Sequence, residues 1–449
     1  MTEPFLPGNP AAFNARALQR LCDKGGRIVI DVPGVYELDR TIFLSSDTEL
    51  IFGAGTAVKR LPNEDGAENN YAFVNKGALT RSWDHDIIIR GLHLICNGQQ
   101  RGSSTPVVGL AGELSFFYVK RVRIFDFVCM DLPAQSFCIH ICTFEDAVIE
   151  RVHIEGRKDA VHFGKGSKFV VRHGLFRTFD DPIALNAHDY VGSNPQLGWI
   201  RDGIIEDCWD LDDKDTTGYF ARILAGSWCD WTEGMIVRRS DTVVSEGRLY
   251  RVATEPDGTE YRSATRPTHK EGVQVLDGDI RWAMVQDDDP IYNCGCENIV
   301  FRDIRLQKKR RAALSIHFDD DCWSHSYYPG SPAPVQRNLT FENVRVENQV
   351  DDLISSHTAV DCVRLINSDI GSSRILLKER PYPELSYPET KILLSGTTFS
   401  GGEAELLRCT EKRSAALCIQ GSLSLDDAPR KIAGKVRVIS SDLSLETIE

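Results

Sequence analysis

"EDAVIERVHIEGRKDAVHFGKGSKFVVRHGLF" (145–176) says nearly the same thing twice. A short apolar run, "AVI" and then "FVV", is followed by polar residues and a second alternating run. Aligning Ile149 with Val171 gives a step of 22 residues. Outward from there the pattern recurs in "DIIIRGLHLIC" (86–96), "VKRVRIFDFVC" (119–129), "RDGIIEDCWDL" (201–211), "ENIVFRDIRL" (297–306), "RNLTFENVRVEN" (337–348), "DCVRLINSDI" (361–370) and "TKILLSGTTF" (390–399). Ile124 to Ile149 is 25 residues and Phe341 to Leu365 is 24. A period of roughly 20–25 residues, made of short strands broken by Gly, Asn and Asp, marks a solenoid. Helical signals are nearly absent beyond residue 25, which disfavours helical and leucine-rich repeats. The period is too short for propeller blades, at about 40 residues or more.

The fold expected is all-β: a right-handed parallel β-helix whose coils stack about 4.8 Å apart. Ile149, Val171 and Phe301 should point into its bore. Open coils expose strand edges, so the ends need covers. "PAAFNARALQRLCDKG" (10–25) places Phe13, Ala17, Leu18, Leu21 and Cys22 on one face of a short helix that stops at Gly25-Gly26. It is the expected N-terminal cap. Residues 230–292 break the rhythm. Turn signals at Asp257-Gly258 and Asp277-Gly278 separate alternating segments punctuated by Tyr250, Tyr261 and Trp282. This reads as a small β insertion whose aromatics pack its own core, and it resembles β modules of phage-tail proteins and some carbohydrate-active enzymes. The organisation expected is β-helix over 1–229, insertion over 230–292 and β-helix again over 293–449. Coils that bury their own core would make the insertion dispensable for folding.

The chain has 449 residues, 42% hydrophobic and 26% charged, with net charge −13. That charge argues against nucleic acid and anionic membrane surfaces as partners. No secretory signal precedes the helix, and no run reaches membrane-spanning length. The 13 cysteines show no zinc spacing. A cytoplasmic location with reduced thiols is expected, and no metal or cofactor. The oligomeric state, monomer or homo-oligomer, is open.

Three acids stand out. Asp159 and Asp181 are 22 residues apart, one coil step, so stacking places one over the other, with Asp180 alongside. The same step sets His140 over His162 and Phe137 over Asp159. Clustered carboxylates raise one another's pKa, so one of three tends to keep a proton near neutrality. An acid beside an ionised carboxylate is what glycoside hydrolysis requires. The bland reading is a ladder of Asp residues capping coil corners.

These residues resemble glycoside hydrolase family 28, the polygalacturonases. The family's "N-T-D-G" corresponds to "R-K-D-A" at 157–160, and its "G-D-D" with the following "I-A-[IL]-N" strand corresponds to "F-D-D-P-I-A-L-N" at 179–186. The resemblance implies that Asp180 is the general acid and that Asp159 and Asp181 hold the water attacking with inversion. The family's "G-H-G" has no counterpart after the Asp pair; His162 or His188 could replace its histidine. Its "R-I-K" is met only by "A-R-I-L" (221–224), which keeps Arg222 and puts Leu224 in place of the lysine. His140, Asn186, Asp319 and Trp323, the last two from "SIHFDDDCWSHSYYPGSP" (315–332), complete the expected substrate contacts. The expected function is hydrolysis of an oligosaccharide, with a uronic acid or pectin-derived sugar in view. The alternatives are a β-helix polysaccharide lyase or fructan-cyclising transferase, and a non-catalytic phage-tail-like carbohydrate binder.

Overall fold

The computed structural model describes residues 4–63, 68–99, 106–254, 258–288, 291–399, 405–421, 430–440 and 445–448. Its main sheet is built from parallel pairs, each joining a strand to its counterpart one coil away. The register is unbroken where the sequence period is clearest. Ile28, Leu50, Ile89, Ile124, Ile149, Val171, Ile205, Phe301, Phe341, Leu365, Leu394 and Ile419 form one ladder column. All are buried, and Ile149, Val171 and Phe301 are fully so. Phe301 and Phe341 stack with ring centroids 5.2 Å apart.

The corners repeat as strictly as the core. Asp126, Arg151, His173, Asp207, Asp303, Asn343 and Asn367 all have φ between 48° and 55°. A second set, Asp86, Arg121, Asp146, Lys168, Asp202, Asn298 and Asn338, lies between 51° and 65°. Each set recurs at one ladder position, so the coil bends through a left-handed residue at the same place every turn. Asn and Asp tolerate that conformation best among residues with a Cβ. This explains the recurring Asp and Asn in the sequence pattern. Asp159, Asp180 and Asp181 belong to neither set.

The N-terminal helix spans Ala11–Lys24 and ends at Gly25, whose φ is 66°. Its buried face is Asn14, Ala15, Ala17, Leu18 and Cys22. Leu21, expected inward, is exposed, because the face is centred on the Leu18–Cys22 line. Gln19 covers the open edge of strand Ile42–Leu44: its side chain accepts from the Phe43 N–H at 2.8 Å and donates to the Phe43 carbonyl at 2.9 Å. Among the described residues, no helix is long and apolar enough to cross a membrane.

Between the coil strands Ile200–Asp210 and Cys296–Leu306 lies a separate sheet of five strands. Val273–Asp277 and Ile280–Gln286 form its last hairpin, at the expected Asp277-Gly278 turn. Asp257, of the other expected turn, lies outside the described residues. Tyr250 and Trp282 are fully buried in this sheet's own core with Trp231, Met235 and Val243, and Tyr261 packs against it.

The insertion is not simply appended. Val244, Leu249 and Val285 join the main core. Arg251, buried, donates to the Asp189 and Asn194 carbonyls, both at 2.7 Å. Thr242 Oγ1 meets His188 Nε2 at 3.0 Å, and the Leu197 N–H donates to Gln286 at 3.3 Å. These bonds count against the expectation of a dispensable insertion. Each buried group stripped of its partner costs about 1–3 kcal/mol. Excising residues 235–286 is therefore expected to yield insoluble protein, or to lower the thermal midpoint by at least about 5 °C. An unchanged midpoint in a calorimetric scan would show that the anchor carries no stability.

Candidate active site

Three short coil strands carry the site: Val161–Phe163, Ile183–Asn186 and Ala221–Leu224. Their ladder sets one column, Ser115, His140, His162, Ala184, Arg222, Ser315 and Ser355. The acids sit just before these strands. The Ala160 N–H donates to the Asp181 carbonyl at 3.0 Å, and the Cys138 N–H to the Asp159 carbonyl at 2.9 Å. Phe137, Asp159 and Asp181 thus follow one another on successive coils, as the spacing predicts.

The three carboxylates converge: one oxygen from each lies within 4.8 Å of the others. Asp159 and Asp181 are buried and Asp180 is partly exposed. They are distinct from the left-handed bend residues at the coil corners. Asp181 Oδ1 accepts the Tyr219 N–H at 2.7 Å. Gly218 allows this approach, because a Cβ there would stand 2.6 Å from both the Asp180 carbonyl carbon and Asp181 Oδ1. Asp159 Oδ2 meets His162 Nδ1 at 2.9 Å, whereas its Oδ1 has no hydrogen-bond partner.

Lys158 enters the same cluster. Its Nζ hydrogen-bonds Asp180 Oδ2 and lies 3.8 Å from Asp159 Oδ1. Burial opposes its charge, but Asp159 and Asp180 outweigh that and raise its pKa. Burial alone would raise all three acids. It lifts Asp159 to about 7, and Asp181 well above the carboxylate range with help from the Asp180 and Asp159 charges. For Asp180 the Lys158 charge and hydrogen bond override burial and lower the pKa.

A cleft of about 510 Å³ adjoins the cluster through Lys158 and is lined by Phe137, Lys158, Tyr190, Arg222, Arg239, Asp319 and Trp323 among others; the three carboxylates themselves do not line it. Its volume falls within the range of small-ligand sites. Trp323 presents 56% of its surface. Arg239 comes from the insertion.

His140, His162, Asn186 and His188, expected as sugar contacts, are fully buried among protein partners, and Asp159 and Asp181 are buried as well. His140 Nδ1 accepts the Ala111 N–H at 3.0 Å. His162 stacks on Phe137, centroids 3.9 Å apart, and burial lowers its pKa to about 3, leaving it neutral. Asn186 donates to Asp189 at 2.6 Å, and His188 faces the insertion through Thr242. Asp319 lines the cleft as expected, and both its oxygens accept from Arg222 Nη2 at 2.9 Å. Arg222 keeps its place on the cleft wall, tied to that partner.

Lys158, Tyr190 and Arg239 were not among the expected contacts. Lys158 had a signal: it precedes Asp180 by the same 22 residues that separate Asp159 from Asp181. Arg239 had none, since it arrives through the irregular insertion.

No protein-family model matches the chain, and no curated protein matches it. Among solved structures, a double mutant of the tailspike protein of E. coli bacteriophage HK620 is similar at TM-score 0.50 and 11% identity, over 98% of this chain and 75% of that one. The chain is a right-handed parallel β-helix. Also similar are an endo-xylogalacturonan hydrolase from Aspergillus tubingensis (TM-score 0.48, 10% identity, 99% and 97% covered) and a family 28 exopolygalacturonase from Yersinia enterocolitica (0.45, 13%, 96% and 76%). At these identities the likeness concerns the β-helix itself.

The raised Asp159 has a stability consequence. Unfolded, Asp159 ionises near the ordinary value, about 4. Folded, it ionises at about 7. Between those values the folded state holds a proton that the unfolded state has lost, so stability falls as pH rises. Asp159→Asn removes this loss. The thermal midpoint of the variant relative to wild type should climb from pH 4 to pH 7 and then level. A constant difference across that window would mean that Asp159 is not held protonated.

Proposed function

We propose that the protein is a glycoside hydrolase acting on an oligosaccharide that carries carboxylate groups, with acid and base supplied by Asp159, Asp180 and Asp181. The observation that carries this reading is the meeting of three carboxylates with unequal proton affinities beside a cleft. Opposed affinities within one site separate an acid from a base. The exposed Trp323 indole offers a flat apolar face for a sugar ring. Lys158, Arg222 and Arg239 give the walls positive charge, which suits an acidic sugar.

A lyase would need a basic group to abstract a carbon-bound proton. Lys158 is the amine on the spot, and two carboxylates hold it as an ammonium. That favours hydrolysis over elimination. The same ammonium caps Asp180 and weakens it as a nucleophile, which favours attack by water and inversion, as the family resemblance implies. The three carboxylates lie closer together than the roughly 6.5–9.5 Å usual for inverting pairs, so the stereochemistry is a direct test. The first-formed product, read by proton NMR, should carry the inverted anomer. A retained anomer would replace the water route with a covalent one.

Each of Asp159→Asn, Asp180→Asn and Asp181→Asn should slow hydrolysis of a natural linkage by about a hundredfold or more. One variant should recover most of its rate on a nitrophenyl glycoside, whose leaving oxygen needs little protonation. That variant identifies the acid. If all three keep full activity, the cluster is not the catalytic machinery; if the wild type binds acidic oligosaccharides with no turnover across a broad screen, the protein is a carbohydrate binder.

A further inference from the structure

We propose that Lys158 is a positioning residue that holds the negative charge of the carboxylate cluster on Asp180 and leaves the shared proton with the buried Asp159–Asp181 pair. Within the hydrolase reading, on which the catalytic half of this inference rests, the acid is then in the pair and Asp180 is the base. That reverses the assignment that the family resemblance implies.

The geometry is specific to this chain. Lys158 stands where the resembled motif has threonine. One coil step puts it over Asp180, just as Asp159 lies over Asp181. Its Nζ bonds Asp180 Oδ2 directly and reaches only to 3.8 Å from Asp159 Oδ1. The ammonium therefore acts unequally on the three acids. It also sits 5.7 Å from the Phe137 ring centroid, which fixes it from the other side. The remaining charged and titratable groups around the cluster do not reproduce this bias. Arg222 is tied to Asp319, and Asp189 accepts from Asn186 and Ser193. His162 is neutral, and burial raises the Tyr190 phenol so that it stays protonated. Asp181 receives one backbone N–H from Tyr219, and Asp159 one bond from His162.

In the reaction the pair gives its proton to the glycosidic oxygen as the carbon–oxygen bond breaks. A water forms the new carbon–oxygen bond and passes its proton to Asp180. The net change is one proton moved from the pair to Asp180, and exchange with solvent returns the site to its starting state. Lys158 makes that return downhill, because its charge stabilises Asp180 as the anion.

The test is a carbon-13 NMR titration of protein labelled at the aspartate side-chain carboxyl, with the three resonances assigned by loss in the single Asn variants. In wild type Asp180 should titrate first, in the acid range, and the last proton should leave the Asp159–Asp181 pair. In Lys158→Met the Asp180 midpoint should rise by at least about one pH unit, the usual effect of losing an opposite charge at this range. Lys158→Arg should keep it low. The wild-type order alone decides if Lys158→Met does not fold: Asp180 titrating after the pair overturns the proposal. An Asp180 midpoint that is the same in Lys158→Met and wild type overturns it too. Kinetics separates the two readings. If the NMR order holds and no glycoside is turned over, Lys158 has its role and the hydrolase reading fails. If glycosides are hydrolysed and Asp180→Asn is the variant rescued by a good leaving group, the hydrolase stands and the role of Lys158 falls.

Discussion

Everything in this molecule follows from parallel strands stacked in register. Each ladder bond fixes the residue one coil above or below, so a side chain's neighbours are copies of its own position. That suits an apolar column such as Ile149–Val171–Ile205, where like packs on like and every step excludes water. It suits the left-handed corners as well. It is hostile to charge, because stacking multiplies whatever stands at a position. The cluster of Asp159, Asp180 and Asp181 is that hostility put to use.

Stacked carboxylates in a buried floor are held only against their own repulsion. Two devices contain it here. Lys158 pairs with Asp180, and burial raises the proton affinity of the other two acids. Elsewhere some buried charges come in matched pairs, as in Arg310 with Asp210 and Arg60 with Glu113, and others, such as Arg251, bond backbone carbonyls. Those pairs satisfy the rule that a buried ion needs a partner. The three-acid cluster does not, since it has one ammonium for three carboxyls. An excess that the fold does not need is what makes the cluster a candidate for chemistry.

The sequence revealed what is periodic and little else. The inward column, the stacking of His140 on His162 and that of Asp159 on Asp181 all come from counting one step. The bond between Lys158 and Asp180 lay in the same count but escaped a search confined to acids. Periodicity gives a residue's column and not its cover. His140 and Asn186 face outward from their strands, yet both are fully buried. Asn194 closes over Asn186, its side chain donating to the Asn186 carbonyl at 2.7 Å. Those loops follow no period, so neither the burial of His188 under the insertion nor the arrival of Arg239 could be counted out. The pairing of Arg222 with Asp319 spans 97 residues and a change from strand to loop.

The same division explains how the cleft is built. Its floor is ladder, and ladder cannot be altered at one coil without disturbing the next. Its walls are loops, and they are free to vary. Here the walls are made jointly: the insertion's Ser240 hydroxyl donates to the Trp323 carbonyl at 3.3 Å, and Asp321 Oδ1 accepts the Trp323 N–H at 2.8 Å. His325 hydrogen-bonds Asp241 of the insertion through Nδ1 and lies 3.0 Å from the Tyr382 hydroxyl through Nε2. Three segments distant in sequence thus position one exposed indole and one arginine beside a fixed set of acids. The ladder holds the acids and the joined loops shape the cleft beside them, so the insertion belongs to the candidate site as much as the coils that carry the acids.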